Sequence, residues 1–84
     1  MDEKKVIEEI VDYLRTGNPL ISELASVPLD ESLVELGLMD SFGVVEIISF
    51  LESKYQIKIE DEDITKEKFG SIRKMAALSL EKLD

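Results

Sequence analysis

No cysteine, histidine or tryptophan occurs in the 84-residue sequence, and no lysine or arginine lies between Arg15 and Lys54. Without cysteine there is no disulfide framework and no thiol nucleophile, and with histidine missing as well a Cys/His zinc centre and a histidine general base are excluded. What chemistry remains belongs to carboxylates, hydroxyls and lysines. Long apolar runs are also missing: none approaches the roughly 18 residues of a membrane span, and Met1-Asp2-Glu3-Lys4-Lys5 lacks the apolar centre of a signal peptide. The expectation is a cytoplasmic protein without membrane insertion. The length suffices for a single domain, residues 1–84, with one modest core, and excludes a two-domain reading.

Charge is present in excess of one sign. Nineteen acids stand against ten bases, a formal net charge of −9 at pH 7. Residues 1–15 hold five acids and three bases, residues 16–53 seven acids and no base, and residues 54–84 seven of each. A long stretch of one sign argues against nucleic acid and anionic lipid as partners, because both require Lys or Arg to neutralise phosphate, and it favours basic partners. At 44% hydrophobic residues the chain is too apolar to be disordered.

Helical spacing organises most of the chain. Val6, Ile7, Ile10, Val11 and Leu14 form one stripe opposite Glu8, Glu9, Asp12 and Arg15, which predicts a helix over residues 3–15 ended by Gly17-Asn18-Pro19. Residues 17–40 form a long connection in which Asn18 can cap a short turn begun by Pro19, with Leu29, Leu33, Leu36 and Leu38 pinning the rest to the core. A second helix is predicted over residues 41–55 with Asp40 as N-cap and Val44, Ile47, Ile48, Leu51 and Tyr55 as the buried face. Glu46, Ser49, Glu52 and Ser53 fall opposite. Phe42 and Val45 lie on that polar side too, where packing on a core does not explain them. Gln56-Ile57-Lys58-Ile59 alternates, yet has no second strand to pair with, and is read as an extended connector. A short helix over Asp61–Lys66 would turn Ile64 inward. The last helix, residues 71–83, is capped by Ser71 and carries Ile72, Met75, Ala76, Ser79, Leu80 and Leu83 on one face. The fold class is all-α, a small four-helix bundle of three main helices and one short one, with a long first loop.

The acidic run Glu60-Asp61-Glu62-Asp63 does not make a calcium loop, since a loop starting at Asp61 would need Gly where Lys66 stands and Glu where Ile72 stands. A solvated helix start, favoured by the helix dipole, is the expectation there. Carboxylate pairs can be drawn anywhere in so acidic a chain and carry no signal for catalysis; a small chain also leaves little room for a cleft. The sharper feature is Gly37-Leu38-Met39-Asp40-Ser41-Phe42, a serine at the start of a helix beside an acid and the misplaced Phe42 and Val45. By spacing alone Ser41 can be part of an N-cap and nothing more, in a helical protein-interaction module without a prosthetic group. An unaided serine is a poor nucleophile, so chemistry at Ser41 would need another protein to activate it.

The stretch Asp30-Glu31-Ser32-Leu33-Val34-Glu35-Leu36-Gly37-Leu38-Met39-Asp40-Ser41-Phe42-Gly43-Val44-Val45-Glu46-Ile47 resembles the acyl carrier protein family around its phosphopantetheine attachment site. The likeness extends to Phe69-Gly70-Ser71-Ile72 and covers essentially the whole chain. Two residues, Leu38 and Met39, separate Gly37 from Asp40-Ser41 where fatty-acid-type carriers usually have one, and Phe42 stands in place of Leu. In both respects the chain looks more like D-alanyl carriers and freestanding aminoacyl or specialised acyl carriers.

The resemblance implies a non-enzymatic carrier of acyl or aminoacyl groups, held as thioesters on a 4'-phosphopantetheine arm that a phosphopantetheinyl transferase moves from coenzyme A onto Ser41. Asp40 is implied as the orienting residue. Phe42, Val45, Glu46, Ser49 and Glu52 are the expected partner-binding face, meeting basic surfaces of a loading ligase and of acyltransferase or synthase acceptors. The protein is expected to act as a monomer. Fatty acyl and D-alanyl or other aminoacyl cargo remain as alternatives.

Overall fold

The computed structural model describes residues 2–83, and the described residues contain helices and turns but no strand. Helix α1 spans Glu3–Gly17, α2 Pro19–Ser22, α3 Ser41–Tyr55, α4 Lys66–Phe69 and α5 Ile72–Leu83, with a 3-10 turn at Asp61–Asp63.

Each main helix begins with a side chain that accepts an otherwise unpaired backbone N–H. Asp2 accepts from Lys5 N at 2.8 Å, Asp40 from Gly43 N at 3.0 Å and Ser71 from Lys74 N at 3.2 Å. Helix α1 ends where the backbone N–H of Asn18 bonds Leu14 O at 2.9 Å. Helix α3 ends at Gln56, the one non-glycine with positive φ among the described residues.

The apolar stripes of α1, α3 and α5 meet in one core. Val6, Ile10, Ile47, Leu51, Ile72 and Ala76 are completely buried, and α1 runs along α5. Burial of each aliphatic side chain of this kind contributes ~1.5–3 kcal/mol, enough for a handful to hold a small bundle together. The long connection is pinned by Ile21, Val27 and Leu33, all buried, with Leu29 and Leu38 packed against them. Leu36 does not join them: it is exposed, because it lies on the outer side of a turn over Ser32–Gly37. Leu83 is also exposed, and Leu78 takes a core position that the expected stripe of α5 did not include.

Between α3 and α5 the path differs from the expected single short helix. Asp61–Asp63 is a 3-10 turn, and the separate α4 follows it, capped by Thr65, whose hydroxyl accepts from Lys68 N at 3.1 Å. Ile64 falls between the two and is exposed, whereas Phe69 supplies the buried anchor. Asp63 is buried rather than solvated. Its carboxylate accepts from Glu60 N at 3.0 Å and pairs with Lys82 at 2.7 Å and Lys68 at 3.7 Å. The Lys82 hydrogen bond and the Glu60 N–H hold its pKa below the usual carboxylate value. This pairing fastens the 60–70 segment to α5 and leaves the Gln56–Ile59 stretch as the extended connector the sequence suggests.

Candidate functional site

The approach to Ser41 is built by local hydrogen bonds. Ser32 Oγ accepts from Glu35 N at 3.2 Å and opens a single turn, closed by Leu38 N to Leu33 O at 2.9 Å and Gly37 N to Val34 O at 3.1 Å. Gly37 sits at φ 76°, the left-handed conformation such a closure needs and glycine adopts without strain. Asn18 then takes hold of the chain, donating through Nδ2 to Leu38 O at 2.8 Å. Its other amide atom, Oδ1, caps α2 by accepting from Leu20 N and Ile21 N. The next residue, Met39, is buried.

After these anchors, Asp40 and Ser41 are both exposed. Asp40 Oδ1 is the N-cap acceptor of α3, so the Ser41 hydroxyl is not consumed in capping. The free first-turn N–H groups of a fifteen-residue helix favour an anion at this position. A group attached to Ser41 through a phosphate therefore meets open space, with the first-turn N–H groups offsetting part of the repulsion from the neighbouring Asp40 carboxylate.

The residues expected to meet partners fall on the solvent side of α3. Phe42 is 78% exposed and Val45 60% exposed, and Glu46 and Ser49 are exposed beside them. Glu52 differs from the others, because its Oε2 accepts the N–H of Ile59 at 2.9 Å and ties the end of α3 to the connector. Phe50, to which helical spacing assigned no role, stacks on Tyr13 with ring centroids 4.2 Å apart. The Tyr13 hydroxyl donates to Glu46 O at 3.4 Å, so α1 braces the solvent-facing helix from the side.

The acidic middle of the chain is partly neutralised in three dimensions. Glu35 pairs with Lys66 at 2.5 Å, and Asp30 with Arg73 at 2.6 Å, both bases coming from the neutral C-terminal third. Asp40 and Glu46 stay exposed around Ser41. Glu23 and Glu31 on the connection stay exposed as well, so the acidic field runs from the connection to the start of α3.

Two clefts flank this helix start. One, of about 150 Å³, lies toward α1 and is lined by Tyr13, Leu14, Asn18 and Gly43. The other, of about 250 Å³, lies toward Leu33, Ile64, Phe69 and Met75.

This arrangement has a family. The model of the phosphopantetheine attachment site family matches residues 4–79, and the chain belongs to that family. Its members are carrier proteins whose prosthetic group is 4'-phosphopantetheine. Among curated proteins, the D-alanyl carrier protein of Leuconostoc citreum is 33% identical over 72 residues, covering 86% of this chain and 88% of its own. That of Streptococcus thermophilus is 32% identical over 75 residues, covering 89% and 87%. The D-alanyl carrier protein of Streptococcus gordonii is 31% identical with the same coverage, 89% and 87%. Among the described residues no helix is long and apolar enough to cross a membrane.

Proposed function

We propose that Ser41 carries the 4'-phosphopantetheine arm, and that the chain, as one carrier domain, uses it to present an aminoacyl group to partner enzymes. The observation that carries this reading is the division of labour at the start of α3. Asp40 caps the helix, and Ser41, next to it, keeps an exposed hydroxyl. Once attached, the arm supplies a thiol on which cargo rides as a thioester, and with no cysteine in the chain that thiol is unique.

The chain's own residues do the holding and presenting. The Ser41 hydroxyl attacks the coenzyme A phosphate that bears the pantetheine, and the adenosine bisphosphate half leaves with the broken P–O bond. The serine proton goes to a base of the transferase, since no histidine is available here to take it. Backbone N–H groups of the first turn of α3 stabilise the attached phosphate. Asp40 fixes the helix start and faces the transferase. Phe42 and Val45 give a partner a small apolar anchor, with Glu46 and Ser49 at its rim and Glu52 at its far end. Acidic steering combined with a small anchor produces fast, salt-sensitive and transient encounters, as a shuttle requires.

The names of the relatives favour D-alanine over a fatty acyl chain as cargo, loaded by an aminoacyl ligase and passed to an acyltransferase. The chain performs no catalysis of its own and works as a cytoplasmic monomer. Intact mass spectrometry after incubation with coenzyme A and a broad-specificity phosphopantetheinyl transferase tests the reading. One added phosphopantetheine on wild type and none on Ser41→Ala is expected; no addition to wild type, or equal addition to both, contradicts it.

A further inference from the structure

Among the described residues, Met39 is the one side chain that lines both clefts beside the start of α3. It is 7% exposed and immediately precedes Asp40 and Ser41. Its Cγ lies 2.5 Å from the place a Cβ would occupy on residue 43, so the absence of a side chain at Gly43 is what allows the methionine to lie against α3. On one side the methionine borders the cleft of about 150 Å³ toward α1, and on the other the cleft of about 250 Å³ toward Phe69. An apolar cavity of about 150 Å³ accepts a molecule of benzene's size, so the smaller cleft by itself suits only a short group. Methionine is unbranched and has several rotatable bonds, so it adapts to the irregular space between the two clefts.

We propose that Met39 limits the size of the cargo: by separating the two clefts it keeps the space on each side of the start of α3 short, so that the group carried is an acyl or aminoacyl group of a few carbons. The proposal rests on the reading that Ser41 bears the arm, and adds to it a residue that selects against long alkyl chains. A long chain threading from one cleft into the other would have to displace the methionine from its seat on Gly43. A short aminoacyl group needs neither cleft in full and leaves Met39 in place.

Met39→Ala removes the wall, Met39→Val shortens it at smaller cost to folding, and Met39→Leu keeps it as a control of similar volume. In a first experiment each unmodified protein is titrated with n-hexanol and followed by amide NMR, with Gly43 reporting on one cleft and Gly70 on the other. In Met39→Ala both amides are expected to respond with one midpoint, about tenfold tighter than in wild type or Met39→Leu, the effect of burying two more methylenes. Separate midpoints, or equal affinity in all variants, would overturn the proposal. Should Met39→Ala not fold, Met39→Val takes its place with a smaller shift in the same direction.

In a second experiment the arm is loaded with an acetyl or an octanoyl group. The octanoyl form of wild type is expected to melt no higher than the acetyl form, and that of Met39→Ala to melt higher by at least about 4 °C. An octanoyl gain already present in wild type overturns the proposal. If no arm can be attached to wild type, the assignment of Ser41 fails, and the hexanol titration alone decides the role of Met39.

Discussion

Asn18 holds the carbonyl of Leu38 at 2.8 Å with the same amide side chain that caps α2, while its backbone N–H closes α1. One residue thereby joins two helices to the strand of chain that delivers Ser41. Asn18→Ala should lose about 1–2 kcal/mol of stability, the usual cost of a lost cap. Asn18→Asp keeps the α2 cap and replaces the donor to Leu38 with a carboxylate, so it should regain part of that stability. Both variants should slow modification at Ser41 to a similar extent, because both release Leu38. Thermal melts together with the rate of phosphopantetheine transfer check the two effects separately.

The buried Asp63 carboxylate gives the fold an acid-sensitive fastening. Its pKa is depressed by Lys82 first and by the Glu60 N–H next. The stability it contributes is therefore complete above the unfolded pKa near 3.9 and is lost as pH falls through the lower folded value. Lys82 is raised, chiefly by Asp63, so its share is lost only at strongly alkaline pH. Asp63→Asn should melt below wild type between about pH 5 and pH 9, with the gap closing as the pH falls below about 4. A gap independent of pH would assign the loss to hydrogen bonding alone.

At Gly43 two effects oppose each other. Alanine is favoured over glycine by up to ~1 kcal/mol in a helix, the full figure applying to the interior and less to a first-turn position such as 43, yet its Cβ would enter the space held by Met39. Gly43→Ala should consequently gain nothing in stability or lose some. Combined with Met39→Ala the helix-propensity gain should reappear, a coupling of at least about 0.5 kcal/mol in a double-mutant cycle read by denaturant unfolding.

Phe42 and Val45 are exposed enough that the fold does not depend on them. Phe42→Ala should leave the melting temperature within the error of a surface change, about 0.5 kcal/mol. Transfer of cargo to or from a partner should weaken by about 1–2 kcal/mol, or 5–30-fold in apparent affinity. Glu46→Lys should slow the same encounters most at low salt, where steering is least screened.

How much of this could be read from the sequence follows from the range of the forces involved. The exposed Phe42 and Val45 follow from periodicity within one helix, and the double role of Asn18 at the end of α1 and the start of α2 from local capping chemistry. The fate of Asp63 does not. Four consecutive acids look solvated, and the distant Lys82, brought alongside by packing, joins Lys68 and the Glu60 N–H in holding one of them inward. Similarly Leu36 and Leu83 carry the right residue type for the core at positions that the final turn geometry leaves outside. The one-turn α4 hides because a single turn produces no periodic stripe; Thr65 as its cap was the available signal. At the candidate site, helical spacing puts Glu52 on the expected docking face but does not show the bond it also accepts from a backbone N–H seven positions on. Met39 had no distinguishing spacing until Gly43 placed it between two clefts.

The most direct measurement is the position of the modification. Because no lysine or arginine lies between Arg15 and Lys54, trypsin releases Thr16 to Lys54 as one peptide holding six serines, Ser22, Ser26, Ser32, Ser41, Ser49 and Ser53. Fragment-ion mass spectrometry of that peptide from the transferase-treated protein should place a single phosphopantetheine on Ser41. Its appearance on any other serine, or its absence from the peptide, would contradict the account.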